Sequence, residues 1–172
     1  AIDDLDALVV GEPTGGNVVF AHSGSLTYRI TSIGKSVHSS HPDQGVNAIA
    51  GLLHFIEQEH ALFDDVGDDQ YLGKVQHCIT IIEGGKQANT VPDLAHLFGN
   101  IRPTAVFNNQ QVTKRLTDLV DQINHQTPFQ LELKVTQSFG PVITKPDNDF
   151  VQLALHAAQR NYPNDVELKT IN

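Results

Sequence analysis

Several residue types are scarce or absent in this sequence. Its 172 residues include one cysteine, no methionine and no tryptophan, and 20 acidic residues stand against only 11 lysines and arginines. The formal net charge of −9 argues against a nucleic-acid surface, because phosphate recognition needs a dense basic footprint. No apolar run approaches the roughly 20 residues of a membrane-spanning helix. We therefore expect neither nucleic acid nor membrane among its partners.

The scarcity of cysteine and the absence of methionine support further expectations. A single cysteine permits no internal disulfide, which suits a reducing compartment, so we expect a cytoplasmic protein. Cys78 lies beside the apolar residues Ile79, Ile81 and Ile82, a setting that predicts a buried structural thiol rather than a reactive nucleophile. Because the chain starts at Ala1 and lacks methionine, we expect an excised piece of a longer protein.

What the sequence does contain is a regular succession of strand and helix patterns. Period-two alternation bounded by turn residues predicts four strands, at residues 24–33, 74–83, 94–102 and 129–137. Helical spacing predicts two helices, one from Asn47 as N-cap to about residue 59 and one from about 110 to 126. The order β-α-β-β-α-β predicts an α+β, ferredoxin-like fold, in which two helices cover one face of a four-stranded antiparallel sheet.

Two further elements flank this unit. Residues 5–10 are an apolar run that predicts a short buried strand, stopped by Gly11 and Pro13. Residues 147–161 have the apolar spacing of a separate helix, joined to the unit by a connector that contains proline and glycine.

Glu12 and His38 are the first candidate site residues. Glu12 would lie at the carboxyl end of the first strand, where metals and ligands commonly bind in open α/β sheets, and a carboxylate there could coordinate zinc. His38 lies in a loop rich in serine, histidine and proline, at residues 36–45. An imidazole there could donate a hydrogen bond to an oxyanion, bind a metal, or act as acid or base. The alternatives are a turn residue for Glu12 and a surface histidine for His38.

Asn89 and Arg102 frame another candidate stretch. Asn89 belongs to a turn that follows a Gly-Gly pair, and Arg102 ends the next predicted strand. The asparagine amide offers hydrogen-bond donors, and the planar guanidinium suits a carboxylate. Either residue could instead be a turn former or a solvated charge at a strand end.

Taken together, these stretches resemble a known family. GEPT at 11–14, AHSGSLTYRITSIGKSVHSSHPDQGVNAI at 21–49 and GGKQANTVPDLAHLFGNIRP at 84–103 are similar, in order and spacing, to acetylornithine deacetylases, succinyl-diaminopimelate desuccinylases, aminoacylases and zinc carboxypeptidases. The resemblance implies a ferredoxin-like dimerisation (lid) domain at residues 23–138. Residues 1–22 would be a flank of the catalytic domain, and residues 139–172 a connector and helix that return to it.

The resemblance also implies a role for each candidate residue. Glu12 matches a ligand of a two-zinc site, and His38 matches a lid histidine that reaches the partner subunit's active site and polarises the scissile carbonyl. Asn89 matches a substrate contact, and Arg102 matches the arginine that holds the substrate carboxylate. The family's other metal ligands and its general base match nothing here. The resemblance therefore implies that this chain alone neither retains zinc nor hydrolyses substrate.

The function that follows from the resemblance is that of the parent enzyme. It would be a zinc-dependent amidohydrolase that deacylates N-acyl amino acids, with succinyl-diaminopimelate desuccinylase or acetylornithine deacetylase favoured, and it would form a homodimer through the lid. The alternative is a non-enzymatic, ferredoxin-like dimeric module that binds a small effector. That alternative explains the order of elements and the lone cysteine, but not the three motifs together.

Overall fold

A computed structural model describes residues 5–162 and 165–172, so residues 1–4 and 163–164 of the two expected flanks lie outside the described residues. Nine strands and three α-helices are formed within the described ranges. The strands are β1 (Val18–His22), β2 (Ser25–Ile33), β3 (Val37–His38), β4 (Gln76–Gly84), β5 (Thr90–Val91), β6 (Leu94–Arg102), β7 (Gln130–Phe139), β8 (Val142–Ile143) and β9 (Leu168–Ile171). The helices are α1 (Ala48–Glu59), α2 (Asn109–Gln126) and α3 (Asp149–Asn161).

The central sheet contains four strands in the order β4-β6-β2-β7. Each neighbouring pair is antiparallel. Along β2, Leu26, Tyr28 and Ile30 are fully buried, whereas the residues between them are partly exposed, as a sheet with one covered face requires. The succession β2, α1, β4, β6, α2, β7 confirms the predicted ferredoxin-like α+β fold.

Two helices cover the buried face of this sheet. The side chain of Asn47 accepts hydrogen bonds from the backbone N–H groups of Ile49 and Ala50, which confirms Asn47 as the N-cap of α1. A capping box formed by Asn108 and Gln111 begins α2. The helices contact each other and the sheet, and their buried apolar side chains form one core with those of β2, β6 and β7.

A second, smaller sheet joins segments from before and after the central unit. Strand β1 pairs in parallel with β9 and antiparallel with β8, and α3 contacts β1. The helix predicted for residues 147–161 is confirmed as α3, with Asn148 as its N-cap. The three strands of this sheet were not predicted. No helix in the described ranges is long and apolar enough to cross a bilayer.

The strand predicted at residues 5–10 is wrong. The segment has no strand structure, and Leu8, Val9 and Val10 are 75%, 70% and 67% exposed. A strand needs a neighbour to satisfy its backbone groups, and no described segment pairs with this one. Glu12 therefore does not follow a strand. It lies exposed in a turn, where its carbonyl oxygen accepts a hydrogen bond of 2.8 Å from the N–H of Thr14.

The predicted burial of Cys78 is also wrong, because this thiol is exposed. β4 is an edge strand, and Cys78 pairs with Asn100 on the sheet face that the helices leave open. A bulge after Ile79 then shifts the register of the apolar run, and Ile81 and Ile82 are 47% and 50% exposed. The apolar neighbours of Cys78 therefore do not place it in the core.

Candidate functional site

Two of the predicted site residues are brought together at one end of the central sheet. Strand β3 pairs antiparallel with β5, which places His38 opposite Thr90. The N–H of Ser39 donates a hydrogen bond of 2.9 Å to the carbonyl oxygen of Asn89. His38 and Asn89, which lie in different motifs, are thus held on adjacent backbone segments.

Close backbone packing holds this loop in place. The N–H of Gly34 donates to the carbonyl oxygen of Asp93 at 2.8 Å, and a Cβ on Gly34 would lie 2.1 Å from the carbonyl oxygen of Val46. A side chain at this position would therefore collide with backbone. The N–H of Ala48 donates to the carbonyl oxygen of Pro92 at 2.9 Å, which ties the start of α1 to the same place. The exposed loop thus rests on a rigid base.

Within the described ranges, the ring of His38 is hydrogen-bonded through one of its two nitrogens. Its Nδ1 lies 2.8 Å from Oγ of Ser40 and 3.2 Å from the backbone nitrogen of Ser40. Oγ of Ser40 lies 2.9 Å from Nδ1 of His41. Among the described residues, Nε2 of His38 has no hydrogen-bond partner, and the residue is exposed. Nε2 is therefore available to a ligand. Ser40 and His41 were not predicted as site residues, although the HSSH motif was visible.

Asn89 is exposed in the turn that follows β4. Gly85 has a φ of +78°, which glycine adopts without strain, and the N–H of Thr90 donates to the carbonyl oxygen of Gln87 at 3.3 Å. Oγ1 of Thr90 lies 3.2 Å from Oε1 of Gln87 and 3.5 Å from Oδ1 of Asn89, and its single hydrogen can be donated to only one of them at a time. The side-chain amide N–H groups of Asn89 have no partner within the described ranges, so they can donate to a ligand.

Arg102 lies at the other end of the sheet. It is exposed at the last position of β6, opposite Gln76 of β4. Just beyond it, the carbonyl oxygen of Pro103 accepts a hydrogen bond of 2.8 Å from the N–H of Gly24, at the junction with the smaller sheet. β6 has nine residues and so spans about 27 Å. The structure therefore separates Arg102 from His38 and Asn89 within one copy.

Glu12 does not belong to a cluster of metal-binding side chains. In the part of the chain that the structure describes, no group of three or more histidine, cysteine, aspartate or glutamate residues could hold a metal ion. A catalytic zinc uses three protein ligands and an open position. The described residues therefore do not form a zinc site by themselves, and a zinc ligand at Glu12 remains a prediction about a site completed by other residues.

A second polar cluster lies inside the core, away from the exposed loop. Oε1 of Glu59, a residue 3% exposed, lies 2.8 Å from Nδ1 of His77 and 3.3 Å from Oη of Tyr28. The hydrogen bond to Glu59 raises the pKa of His77 against the opposing effect of burial. Burial, and then the Glu59 carboxylate, raise the pKa of Tyr28. The cluster joins α1, β2 and β4, and its place in the core indicates a structural role.

The fold and the exposed loop together define the class of this protein: a ferredoxin-like domain that presents polar side chains at opposite ends of its sheet. Comparison with known families agrees. Residues 20–128 match the family described as "Peptidase dimerisation domain", and the chain belongs to this family.

Several relatives resemble most of this chain. A "Probable succinyl-diaminopimelate desuccinylase" of Staphylococcus aureus is 29% identical over 175 residues, which cover 87% of this chain and 43% of the relative. An "Acetylornithine deacetylase" of Buchnera aphidicola is 27% identical over 153 residues, covering 83% of this chain and 39% of that protein. The chain thus spans about two fifths of the length of these relatives.

Solved structures share the fold. A tripeptidase from Staphylococcus aureus has a TM-score of 0.69 and 19% identity, covering 91% of this chain and 40% of the tripeptidase chain. An amidase of the hydantoinase/carbamoylase family from Burkholderia phymatum has a TM-score of 0.69 and 21% identity, covering 91% of this chain and 38% of the amidase chain. At these identities the likeness shows the fold alone.

Proposed function

We propose that this chain contains the lid and dimerisation domain, with flanks of the catalytic domain, of a metal-dependent amidohydrolase that deacylates N-acyl amino acids. Family membership and the names of the relatives support this proposal. Residues 23–138 form the lid, and residues 1–22 and 139–172 belong to the catalytic domain. Zinc is the proposed metal, with Glu12 as one ligand and the remaining ligands outside this chain.

The observation that carries the proposal is the separation of the candidate residues along β6. His38 and Asn89 lie at one end of the sheet and Arg102 at the other, about 27 Å apart by strand geometry. An acyl amino acid is too short to contact both groups in one copy. In a twofold dimer, the His38 end of one copy can lie beside the Arg102 end of the other. We therefore propose that each active site is shared between two subunits.

The chemistry of the three side chains fits such a shared site. His38 of one subunit donates a hydrogen bond from Nε2 to the scissile carbonyl oxygen, and this bond strengthens as negative charge develops there. The amide of Asn89 adds a second donor from the same subunit. Arg102 of the other subunit binds the substrate carboxylate through paired N–H groups. These residues position and polarise the substrate, while the water-activating groups lie outside this chain.

The edge strand β4 is the proposed contact between the two subunits. Among the residues that the structure describes, its outer side has no neighbouring strand, and an uncovered edge of this kind pairs readily with another chain. Ile82 is 50% exposed on this strand, and Leu53 on α1 is 57% exposed. Leu53 lies one helical turn after Ile49, whose side chain packs beside Gly84 of β4. Antiparallel pairing of two β4 strands would join the two sheets and cover these apolar side chains.

The substrate assay uses the longer protein that contains this chain, loaded with zinc. N-succinyl-diaminopimelate and N-acetylornithine are compared as substrates, and the 172-residue chain, expected to be inactive, is assayed in parallel. Activity on either substrate that falls in the Glu12→Ala and His38→Ala variants supports the proposal. If the longer protein neither binds zinc nor hydrolyses either substrate, the result would favour the alternative, a non-enzymatic dimeric module that binds a small effector.

Subunit complementation tests the shared site directly. His38→Ala and Arg102→Ala copies are each expected to be nearly inactive. When both are coexpressed, half of the dimers are mixed, and each mixed dimer contains one intact site, so about a quarter of the normal activity should return. A matched pair, His38→Ala with Asn89→Ala, removes residues of the same subunit end. If the site is shared, this pair should recover no activity, because a mixed dimer lacks His38 in one site and Asn89 in the other. His38→Ala with the double variant His38→Ala/Arg102→Ala should likewise recover none.

The edge contact is tested by introducing a charge. Ile82→Lys is expected to weaken the dimer at least tenfold, because the contact would then bury a lysine ammonium from each copy among apolar side chains. Gln137→Lys, an exposed position on the opposite edge strand β7, is the control. Sedimentation velocity measures both. Equal dimerisation of the two variants would exclude the β4 edge as the contact.

A further inference from the structure

Ser40 lies between two histidine rings in the exposed loop. Its Oγ is 2.8 Å from Nδ1 of His38 and 2.9 Å from Nδ1 of His41. Its backbone nitrogen is also 3.2 Å from Nδ1 of His38. Three residues thus form a short chain of polar atoms that ends at the ring on which the proposed function depends.

The donors and acceptors of this chain can be assigned from its geometry. A backbone N–H can only donate, so Nδ1 of His38 accepts the hydrogen bond from the N–H of Ser40. A neutral imidazole carries one proton, and in His38 that proton must therefore lie on Nε2. His38 then presents an N–H donor on the side of the ring that faces outward.

The same reasoning extends to the next ring. Because Nδ1 of His38 carries no proton, the hydroxyl of Ser40 must donate to it. The hydroxyl has a single hydrogen, so it can only accept from His41, and Nδ1 of His41 must carry a proton. The two neutral histidines are therefore opposite tautomers, with the proton on Nε2 in His38 and on Nδ1 in His41.

We propose that Ser40 and His41 are positioning residues that hold His38 in the Nε2–H tautomer with this donor directed at the substrate oxygen. This inference rests on the proposed role of His38. The hydrogen bonds donated into Nδ1 draw electron density from the ring and make Nε2–H a stronger donor, as in other cooperative chains. They also fix the rotation of the ring, so that less ordering is required when substrate binds.

Backbone contacts keep the three residues in this arrangement. The N–H of His41 donates to the carbonyl oxygen of His38 at 3.0 Å, which closes a tight turn around Ser40. The N–H of Gln44 donates to the carbonyl oxygen of His41 at 3.1 Å, within the 3₁₀ turn that begins at Pro42. The turn that joins the two histidines and the 3₁₀ turn that follows them thus limit the positions that either ring can take.

The tautomers are measured by long-range ¹H–¹⁵N correlation spectra of the 172-residue chain, at a pH about two units above the ordinary pKa of histidine. His38 is expected to show the Nε2–H pattern and His41 the Nδ1–H pattern. The pattern of His41 is informative because free histidine in water favours the Nε2–H form. Ser40→Ala should return His41 to that form, Ser40→Thr should keep the Nδ1–H form, and Ser36→Ala serves as the control.

Activity of the longer enzyme gives the second measurement. Ser40→Ala is expected to lower kcat several-fold with little change in KM, while Ser40→Thr and Ser36→Ala stay close to the unaltered enzyme. Finding the Nε2–H form in both rings of the unaltered chain, or unchanged kcat in Ser40→Ala, would overturn this inference alone. The unaltered chain could instead show opposite tautomers while the His38→Ala enzyme remains fully active. That result would overturn the proposed function and leave the hydrogen-bond assignment intact.

Discussion

His77 and His38 are both hydrogen-bonded through Nδ1, but in regions of opposite character. His77 bonds to the carboxylate of Glu59, a residue 3% exposed in the core. His38 bonds to the hydroxyl and N–H of Ser40 in an exposed loop, and its second nitrogen has no partner among the described residues. The core therefore uses its histidine to satisfy a buried acid, whereas the loop leaves part of its histidine available.

This difference indicates which polar groups contribute to the stability of the fold and which contribute to turnover. A buried donor or acceptor that loses its partner costs far more free energy than a solvated one, because water cannot replace the lost bond. The bonds of His77 should therefore act on the free energy of unfolding. The donor of His38 lies where a ligand can reach it, so its loss should act on turnover. The two regions can be separated experimentally by variants that change only one of these quantities.

The largest effect is expected for Glu59→Ala. This change leaves Oη of Tyr28 and Nδ1 of His77 without their shared acceptor and opens a cavity, so the free energy of unfolding should fall by about 3 kcal/mol. Glu57→Ala, at an exposed position on the same helix, should change it by less than about 0.5 kcal/mol. Urea denaturation measures both. Similar losses in the two variants would show that the cluster does not stabilise the core.

A slightly smaller effect, on catalysis rather than on folding, is expected for His38→Ala in the longer enzyme. Loss of one oxyanion donor typically lowers kcat by about a hundredfold, while the free energy of unfolding should change by less than about 0.5 kcal/mol because the ring is exposed. His60→Ala, which removes another exposed histidine, should leave kcat unchanged. A large loss of stability in His38→Ala would contradict the division between the two regions.

Local signals in the sequence predicted the central unit well. The start of α1 after Asn47 and both ends of β6 were predicted as observed, because N-caps and period-two alternation are properties of neighbouring residues. The small sheet was missed because its pairs are distant in sequence. Val18 pairs with Leu168, and no pattern of neighbouring residues indicates a partner so distant in the sequence.

Burial was predicted less well than secondary structure. The apolar character of residues 5–10 and of the neighbours of Cys78 predicted that this segment and Cys78 would be buried. Among the described residues, no segment packs over them, and both are exposed. An apolar residue indicates a tendency to be covered but does not identify what covers it. The site shows the same limit, since His38 and Asn89 were each predicted, but their proximity depends on the pairing of β3 with β5.

A more conservative change tests the core cluster at a single bond. Tyr28→Phe removes the hydroxyl that donates to Glu59 at 3.3 Å but keeps the buried ring. Because His77 still donates to the carboxylate, the free energy of unfolding should fall by only about 1 kcal/mol. Tyr71→Phe, at a partly exposed tyrosine in the loop after α1, is a matched control and should have little effect. A loss as large as that of Glu59→Ala would mean that the tyrosine, rather than His77, is the main partner of Glu59.

The smallest effect is the dependence of stability on pH. The hydrogen bond to Glu59, opposed by burial, raises the pKa of His77 in the folded chain, with smaller contributions from the charges of Glu59 and Asp64. The folded state therefore binds this proton more tightly than the unfolded state, in which the pKa is near 6.5. The extra stability should be fully present below about pH 6.5 and decline as the pH rises through the folded value. Thermal unfolding between pH 5.5 and 8.5 measures this slope, which should become shallower in His77→Gln. An equal slope in the unaltered chain and in His77→Gln would show that the titration of His77 is not linked to folding.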